Sequence, residues 1–159
     1  MAAMTDLAQL RTHTDAIVDA LDVMLKVFDA GAPDLNVIPG GFGWGWQGTP
    51  GDSEFRPYCI VYPLPGGLFD GPLGCPDDDA SLVWQVTCVG ATRGQCEWVA
   101  DQVAAVLIGQ TLNVANRFIF RIWADMAGGG VRRDDTVQPP VFIATPRYRV
   151  DSTPLAPGS

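Results

Sequence analysis

The residues in this chain that could carry chemistry are few and widely spaced. The only histidine is His13, and a cysteine nucleophile would find Arg93 as its only nearby basic residue. No GxSxG motif is present. Four cysteines occur, none of them in a CxxC pair: Cys59, Cys75, Cys88 and Cys96. Because zinc sites need closely spaced thiolate or imidazole ligands, the sequence predicts no metal site. Because it offers no nucleophile with a paired base, it also predicts no enzymatic activity.

Two stretches have residue types found in ligand-binding sites, but their neighbours in sequence do not fit such a site. GGFGWG at 40–45 has the glycines of a phosphate-binding loop, but no strand precedes it and no helix follows it. The triplet Asp77, Asp78 and Asp79 offers oxygen ligands, but three adjacent carboxylates do not all point inward. We expect a solvated acidic loop there.

Composition points to one loop-rich globular domain. The chain has 159 residues, 47% of them hydrophobic, and its 18 glycines and 13 prolines are an unusually high share. A formal charge of −8 argues against a protein whose main function is to bind nucleic acid. No apolar run is long enough to cross a membrane. We expect one domain over residues 1–150 and a flexible tail over 151–159.

Periodicity predicts two helices. Residues 5–29 show helical spacing, with Thr5 as N-cap and Gly31 at the stop. The predicted stripe consists of Leu7, Leu10, Thr14, Ile17, Leu21, Met24 and Phe28. The second helix begins with a capping box formed by Thr92 and Gln95 and ends near Gly109.

Alternating or β-branched stretches predict strands at 58–62, 81–89, 117–124 and 141–150. In the third, Phe118, Phe120 and Ile122 should share one face, with Arg117, Arg121 and Trp123 on the other. The order of elements favours an α+β fold, with an antiparallel or mixed sheet of about four strands, two main helices packed on it and long Gly/Pro-rich loops.

The best candidates for protein contacts are arginines and tryptophans. Arg121, Arg147 and Arg149 occupy the face of their strands opposite the apolar residues, and Trp44 and Trp46 lie in the glycine-rich arm. Trp and Arg are enriched at interface hot spots. The alternative is that these arginines form a solvated face of the sheet.

The segment SLVWQVTCVGATRGQCEWVADQVAAVLIG at 81–109 resembles the central element of tail terminator proteins of long, non-contractile-tailed (siphovirus-type) bacteriophages. There, a strand runs through a short glycine-containing turn into a helix that lies across the sheet. The flanking stretches PYCIVYPLPGG and FIATPRYRV and the amphipathic N-terminal stretch agree with the pattern, which covers most of residues 5–150.

The resemblance implies a virion subunit that acts without catalysis or cofactor. Such a protein forms a hexameric homo-oligomeric ring at the head-proximal end of the tail, after assembly in the host bacterial cytoplasm. The ring caps the tail tube, stops its polymerisation and joins the head-completion protein. DNA only passes through its lumen, for which Asp77, Asp78 and Asp79 are a candidate acidic face.

Two alternatives remain at this point. Another neck, head–tail joining or minor tail protein would share the composition and the ring. A small ligand-binding domain or enzyme would instead use the Gly/Trp arm as a lid, and it predicts an aromatic pocket near Trp44 and Trp46 with convergent polar groups.

Overall fold

Strand β5 (Asp79–Gly90) is the centre of the fold in a computed structural model that describes residues 2–23, 26–30, 45–70, 79–126 and 130–155. Its residues alternate between buried and half-buried positions along most of its length. It pairs antiparallel with β4 (Tyr58–Asp70) on one side, and with β9 (Val141–Ala144) and β10 (Arg147–Pro154) on the other. The predicted alternation over 81–89 is confirmed.

Shorter strands extend the sheet around this centre. β1 (Val27–Asp29) pairs parallel with β4, while β8 (Arg132–Asp134) pairs antiparallel with β9. β6 (Arg117–Ile119) and β7 (Trp123–Met126) follow each other along the outer side of β10. The result is an eight-stranded mixed sheet, accompanied by a two-stranded sheet formed by β2 (Gly45–Trp46) and β3 (Phe55–Arg56).

Two helices, α1 (Ala2–Asp22) and α2 (Arg93–Leu107), pack on one face of the sheet. Alternate β5 side chains, including Trp84 and Cys88, form the core with Ile17 of α1 and Val99 of α2. The predicted α+β class and mixed sheet are therefore confirmed. Neither helix in the described part of the chain is both long and apolar enough to span a bilayer.

The prediction of about four strands is wrong. Pro146 breaks the predicted strand 141–150 into β9 and β10, and residues 120–122 break the predicted strand 117–124 into β6 and β7. Four further strands were not predicted: β1 and β8 of the main sheet, and β2 and β3 of the small sheet. Strand β10 continues to Pro154, so the end predicted at Val150 is four residues short.

The first helix is also shorter than predicted at its C-terminal end. It begins at Ala2, before the predicted cap at Thr5, and ends at Asp22. Residues 27–29 pair with β4 in the sheet, and Arg11 forms an ion pair with Asp29. Pairing with the sheet and this ion pair outweigh a helical periodicity that continues through Phe28.

Strand β4 continues to Asp70, past the predicted stop at Tyr62. Prolines are tolerated at a sheet edge because the missing N–H is not needed there. Within the described structure, β4 pairs on its outer side only with β1, through residues 59–61. Pro63 and Pro65 lie beyond that pairing, and a register shift falls between Leu64 and Leu68.

The predicted cap of α2 is confirmed. The Thr92 hydroxyl accepts a hydrogen bond from the Gln95 backbone N–H (3.2 Å), and the Gln95 side-chain oxygen accepts one from the Ala91 N–H (2.8 Å). The turn before it depends on Gly90, since a Cβ there would lie 2.5 Å from the backbone nitrogen of Cys96. This close approach brings α2 back over β5.

Replacing Gly90 should therefore be costly. We expect Gly90→Ala to lower the free energy of unfolding by about 1–3 kcal/mol, because the methyl group meets backbone and not a flexible side chain. Gly94→Ala is the matched control: a Cβ there meets nothing within 4 Å, and alanine favours the helix by up to about 1 kcal/mol. Urea unfolding of both variants measures the difference, and equal stabilities would contradict the packing described for Gly90.

Candidate subunit interface

The face of the sheet opposite the helices, here called the open face, carries two of the predicted interface arginines. Arg147 pairs in register with Gln85, and Arg149 with Val83. These β5 residues alternate with the core residues Leu82, Trp84 and Val86, so both arginines lie on the open face. Both are half-buried, and the predicted parity of β10 is confirmed.

Arg149 is held by an acidic neighbour on the same face. Its Nε lies 3.4 Å from Oδ1 of Asp125 in β7, an ion pair of two partly buried side chains. Within the described residues, Arg147 and Arg121 form no ion pair. Arg121 is exposed in the break between β6 and β7.

Exposed aromatic side chains lie on both sides of Arg121 along the chain. Phe118 is 52% exposed, Phe120 48% and Trp123 40%, and the two phenylalanine rings pack edge to face at 5.1 Å. Phe118 pairs in register with Thr153 and Trp123 with Arg149, which places both on the open face. We call Phe118, Phe120, Arg121 and Trp123 the aromatic edge.

The sequence did not predict this edge. It expected Phe118, Phe120 and Ile122 on one face, but the break at 120–122 changes the parity and buries Ile119 and Ile122. The Ile122 backbone instead exchanges hydrogen bonds with Gly109 and Gln110 after α2. The run RFIFRIWA contains more apolar residues than one buried face can accommodate. This excess was the feature of the sequence that could have indicated exposed aromatic residues.

The glycine-rich arm forms an ordered hairpin where the structure describes it. Trp46 in β2 packs edge to face on Phe55 in β3 at 5.1 Å, and Phe55 lies over Tyr58. Gln95 of α2 donates a hydrogen bond to the Phe55 carbonyl at 2.9 Å, tying the hairpin to the cap of that helix. Trp44 lies outside the described residues.

A groove of about 510 Å³ lies between this hairpin and the turn that joins β8 to β9. Its wall is mainly apolar and aromatic, and Thr87, Asp134 and Gln138 supply polar groups. Burial, with a smaller contribution from Tyr62, raises the pKa of Tyr58 to about 12, so its hydroxyl stays neutral. Apolar residues of the wall include Trp46, Phe55, Ile60, Val89, Val137, Pro139, Val141 and Ile143.

The acidic triplet is described only in part. Asp77 and Asp78 lie outside the described residues, and Asp79 is half-buried at the start of β5. Asp79 lines a second cavity, of about 470 Å³, together with Phe120 and Asp151. Among the described residues, no three His, Cys, Asp or Glu side chains are placed to hold a metal ion.

One buried pair has the residue types of a nucleophile and its base. His13 Nε2 lies 2.8 Å from Ser152 Oγ, and Arg117 donates a hydrogen bond to the same hydroxyl at 2.9 Å. Nucleophilic catalysis needs a side chain that a substrate can reach. Both His13 and Ser152 are buried in the described structure, so the pair joins α1 to β10 and is not exposed to a substrate.

The fold can be compared with those of known proteins at this point. No protein-family model and no curated protein sequence matches the chain. Among solved structures, the fold is similar to that of a chain from the virion of a native gene transfer agent (GTA) particle. The TM-score is 0.53 at 14% identity, over 87% of this chain and 93% of that chain. The likeness is one of fold.

The three described cysteines should be inert towards thiol reagents. Burial raises the pKa of Cys59 to about 12 and of Cys96 to about 11, and it also raises the pKa of Cys88. The thiolate fraction at pH 8 is then about a hundredfold or more below that of an exposed cysteine. We expect peptide mapping after iodoacetamide treatment to find these sites unmodified in the folded protein and modified in urea. Rapid labelling of the folded protein would contradict the packing around β5.

Proposed function

We propose that this protein is a structural subunit of a virion, and that it acts as a tail terminator. The observation that carries the proposal is the similarity of fold, over most of both chains, to a chain of a virion particle. The activity proposed is assembly, and it involves neither catalysis nor a cofactor.

The tail-terminator assignment draws on the segment 81–109. The resemblance implied a strand, a short glycine-containing turn and a helix across the sheet. In the structure β5 ends at Gly90, Thr92 caps α2, and α2 packs on β5 and β9. The glycine of that turn is Gly90, whose close approach to Cys96 sets the path of the chain.

In the proposed role, six copies form a ring on the finished tail tube at its head-proximal end. The ring stops addition of further tube protein and offers its other surface to a head-completion protein. Each copy carries a formal charge of −8, so a lumen lined by carboxylates would repel passing DNA and leave it free to move. Asp77, Asp78 and Asp79 are the proposed lumen residues, and the predicted arginines and tryptophans are the proposed subunit contacts.

A tube-growth assay tests the role directly. When the purified protein is added to polymerising tube protein of the same particle, we expect tubes of reduced length with a ring at one end in negative-stain micrographs. Arg147→Glu should reduce capping without changing the circular dichroism spectrum, because Arg147 lies on the open face without an ion-pair partner among the described residues.

Unchanged tube growth would contradict the terminator role. If the protein then bound the connector on the head side, the alternative of a neck or head–tail joining protein would replace it. Arg56→Glu is a matched control, since Arg56 is exposed in β3 and lies outside the proposed arginine contacts.

The groove beneath the β2–β3 hairpin supports a second candidate, a ligand-binding domain. Its aromatic wall and three polar groups have the character of a small-molecule site. If this candidate is right, a thermal-shift screen of small apolar and aromatic compounds should find binders that raise the melting temperature. The increase should disappear in Trp46→Ala, which removes one wall of the groove. A screen without binders would reject the candidate.

A further inference from the structure

The charges of this chain are unevenly divided between its helices and its C-terminal strands. Helices α1 and α2, on one face of the sheet, contain six carboxylates and two arginines. Residues 117–154, which form β6 to β10, contain six arginines and four aspartates, although the whole chain carries −8. The helical layer is therefore acidic, whereas the C-terminal strands, whose side chains point to both faces of the sheet, carry a small positive excess.

Several of these charges have no partner within the described part of the chain. Arg11 pairs with Asp15 and Arg93 with Glu97, which uses both arginines of the helices. The remaining described carboxylates there are exposed and form no ion pair within the described residues: Asp19, Asp22 and Asp101. On the aromatic edge, the exposed Arg121 is likewise unpaired.

Exposed aromatic residues accompany the unpaired charges on both sides. Trp98 is 50% exposed on α2 and lies one helical turn from Asp101. Phe118, Phe120 and Trp123 flank Arg121 on the aromatic edge. Large apolar side chains exposed beside charge of opposite sign on two separate surfaces are typical of complementary contacts between proteins.

We infer that copies of this protein associate head to tail, with the aromatic edge of one copy packed on the exposed side of α2 of the next. The inference rests on the proposed function, because it names the surfaces through which the copies of the ring would join. The partner is a second copy because the acidic, Trp98-bearing surface that complements the edge belongs to the same chain. Arg121 would then approach both Asp101 and the ring of Trp98.

The two surfaces are on different faces of the sheet, so one copy does not satisfy its own charges. Phe118 and Trp123 lie on the open face by register, whereas α2 packs on the face that buries Trp84 and Cys88. When two different surfaces form the interface, each added copy leaves one aromatic edge and one α2 surface of the growing assembly unoccupied. Such a contact builds a closed ring or a filament and does not stop at a symmetric dimer.

A mixing experiment with two matched variants tests the inference. Phe120→Glu adds a carboxylate to the aromatic edge and Trp98→Ala removes the ring from the helical surface, at positions of nearly equal exposure. Sedimentation velocity over a wide concentration range should show self-association of the wild-type protein. Each variant alone should associate at least about tenfold more weakly, because Phe120→Glu brings a carboxylate towards Asp101 and Trp98→Ala removes the ring that Arg121 would approach.

The equimolar mixture should form a one-to-one dimer with nearly wild-type affinity and nothing larger. Each variant keeps one intact surface, so the mixture has one good contact and one blocked contact. Val137→Glu is the control, since Val137 is 45% exposed and belongs to neither surface, and it should assemble like the wild type. Circular dichroism checks folding, and Phe120→Gln with Trp98→Gln replace any variant that unfolds.

Three results would overturn the inference: wild-type protein that stays monomeric, a single variant that assembles normally, or a mixture that stays monomeric. Normal assembly of one variant would mean that copies join through like surfaces. The terminator role is tested independently of this contact. Tube capping by a protein that is monomeric in solution would overturn only the head-to-tail contact, and head-to-tail assembly without capping would overturn only the terminator role.

Discussion

The alternation of β5 is the constraint on which the rest of the structure depends. Every second side chain, from Leu82 to Cys88, enters the core, and both helices pack on that face. Trp84 is fully buried, and its indole N–H donates to the Thr14 hydroxyl at 2.8 Å, which fixes α1 against the sheet. Because strand side chains alternate strictly, the remaining residues of β5 face the other way, and an open face follows from the same sequence.

The open face is where the architecture leaves room for partners. At one end the β2–β3 hairpin covers it through Phe55 and Tyr58, leaving the groove beside Trp46. At the other end the aromatic edge is exposed. The open face therefore presents large aromatic and arginine side chains, the residue types that are enriched at protein interfaces. On the opposite, buried face, the hydrogen bond between His13 and Ser152 joins α1 to β10.

Much of the fold could be predicted because its signals are local. The alternation of β5, the cap formed by Thr92 and Gln95, and the parity of Arg147 and Arg149 each depend on residues close together in sequence. The incorrect predictions concerned patterns that distant residues overrode. The helix extended to 29 and the single strand over 117–124 were periodic patterns, and pairing with distant strands or the backbone at Gly109 overrode them. The candidate contact residues were found in part, since Phe118 and Phe120 were expected on the same face as Ile122, which is buried.

The sequence by itself determined the α+β class, the core face of the central strand, the start of α2 and a chemistry poor in catalytic groups. Periodicity, capping and composition carry that information without reference to distant residues. The tertiary structure decided where α1 ends, how the predicted strands divide and which aromatic residues remain exposed. Those outcomes depend on contacts such as His13 with Ser152 and Arg11 with Asp29, whose partners are brought together only by the complete fold.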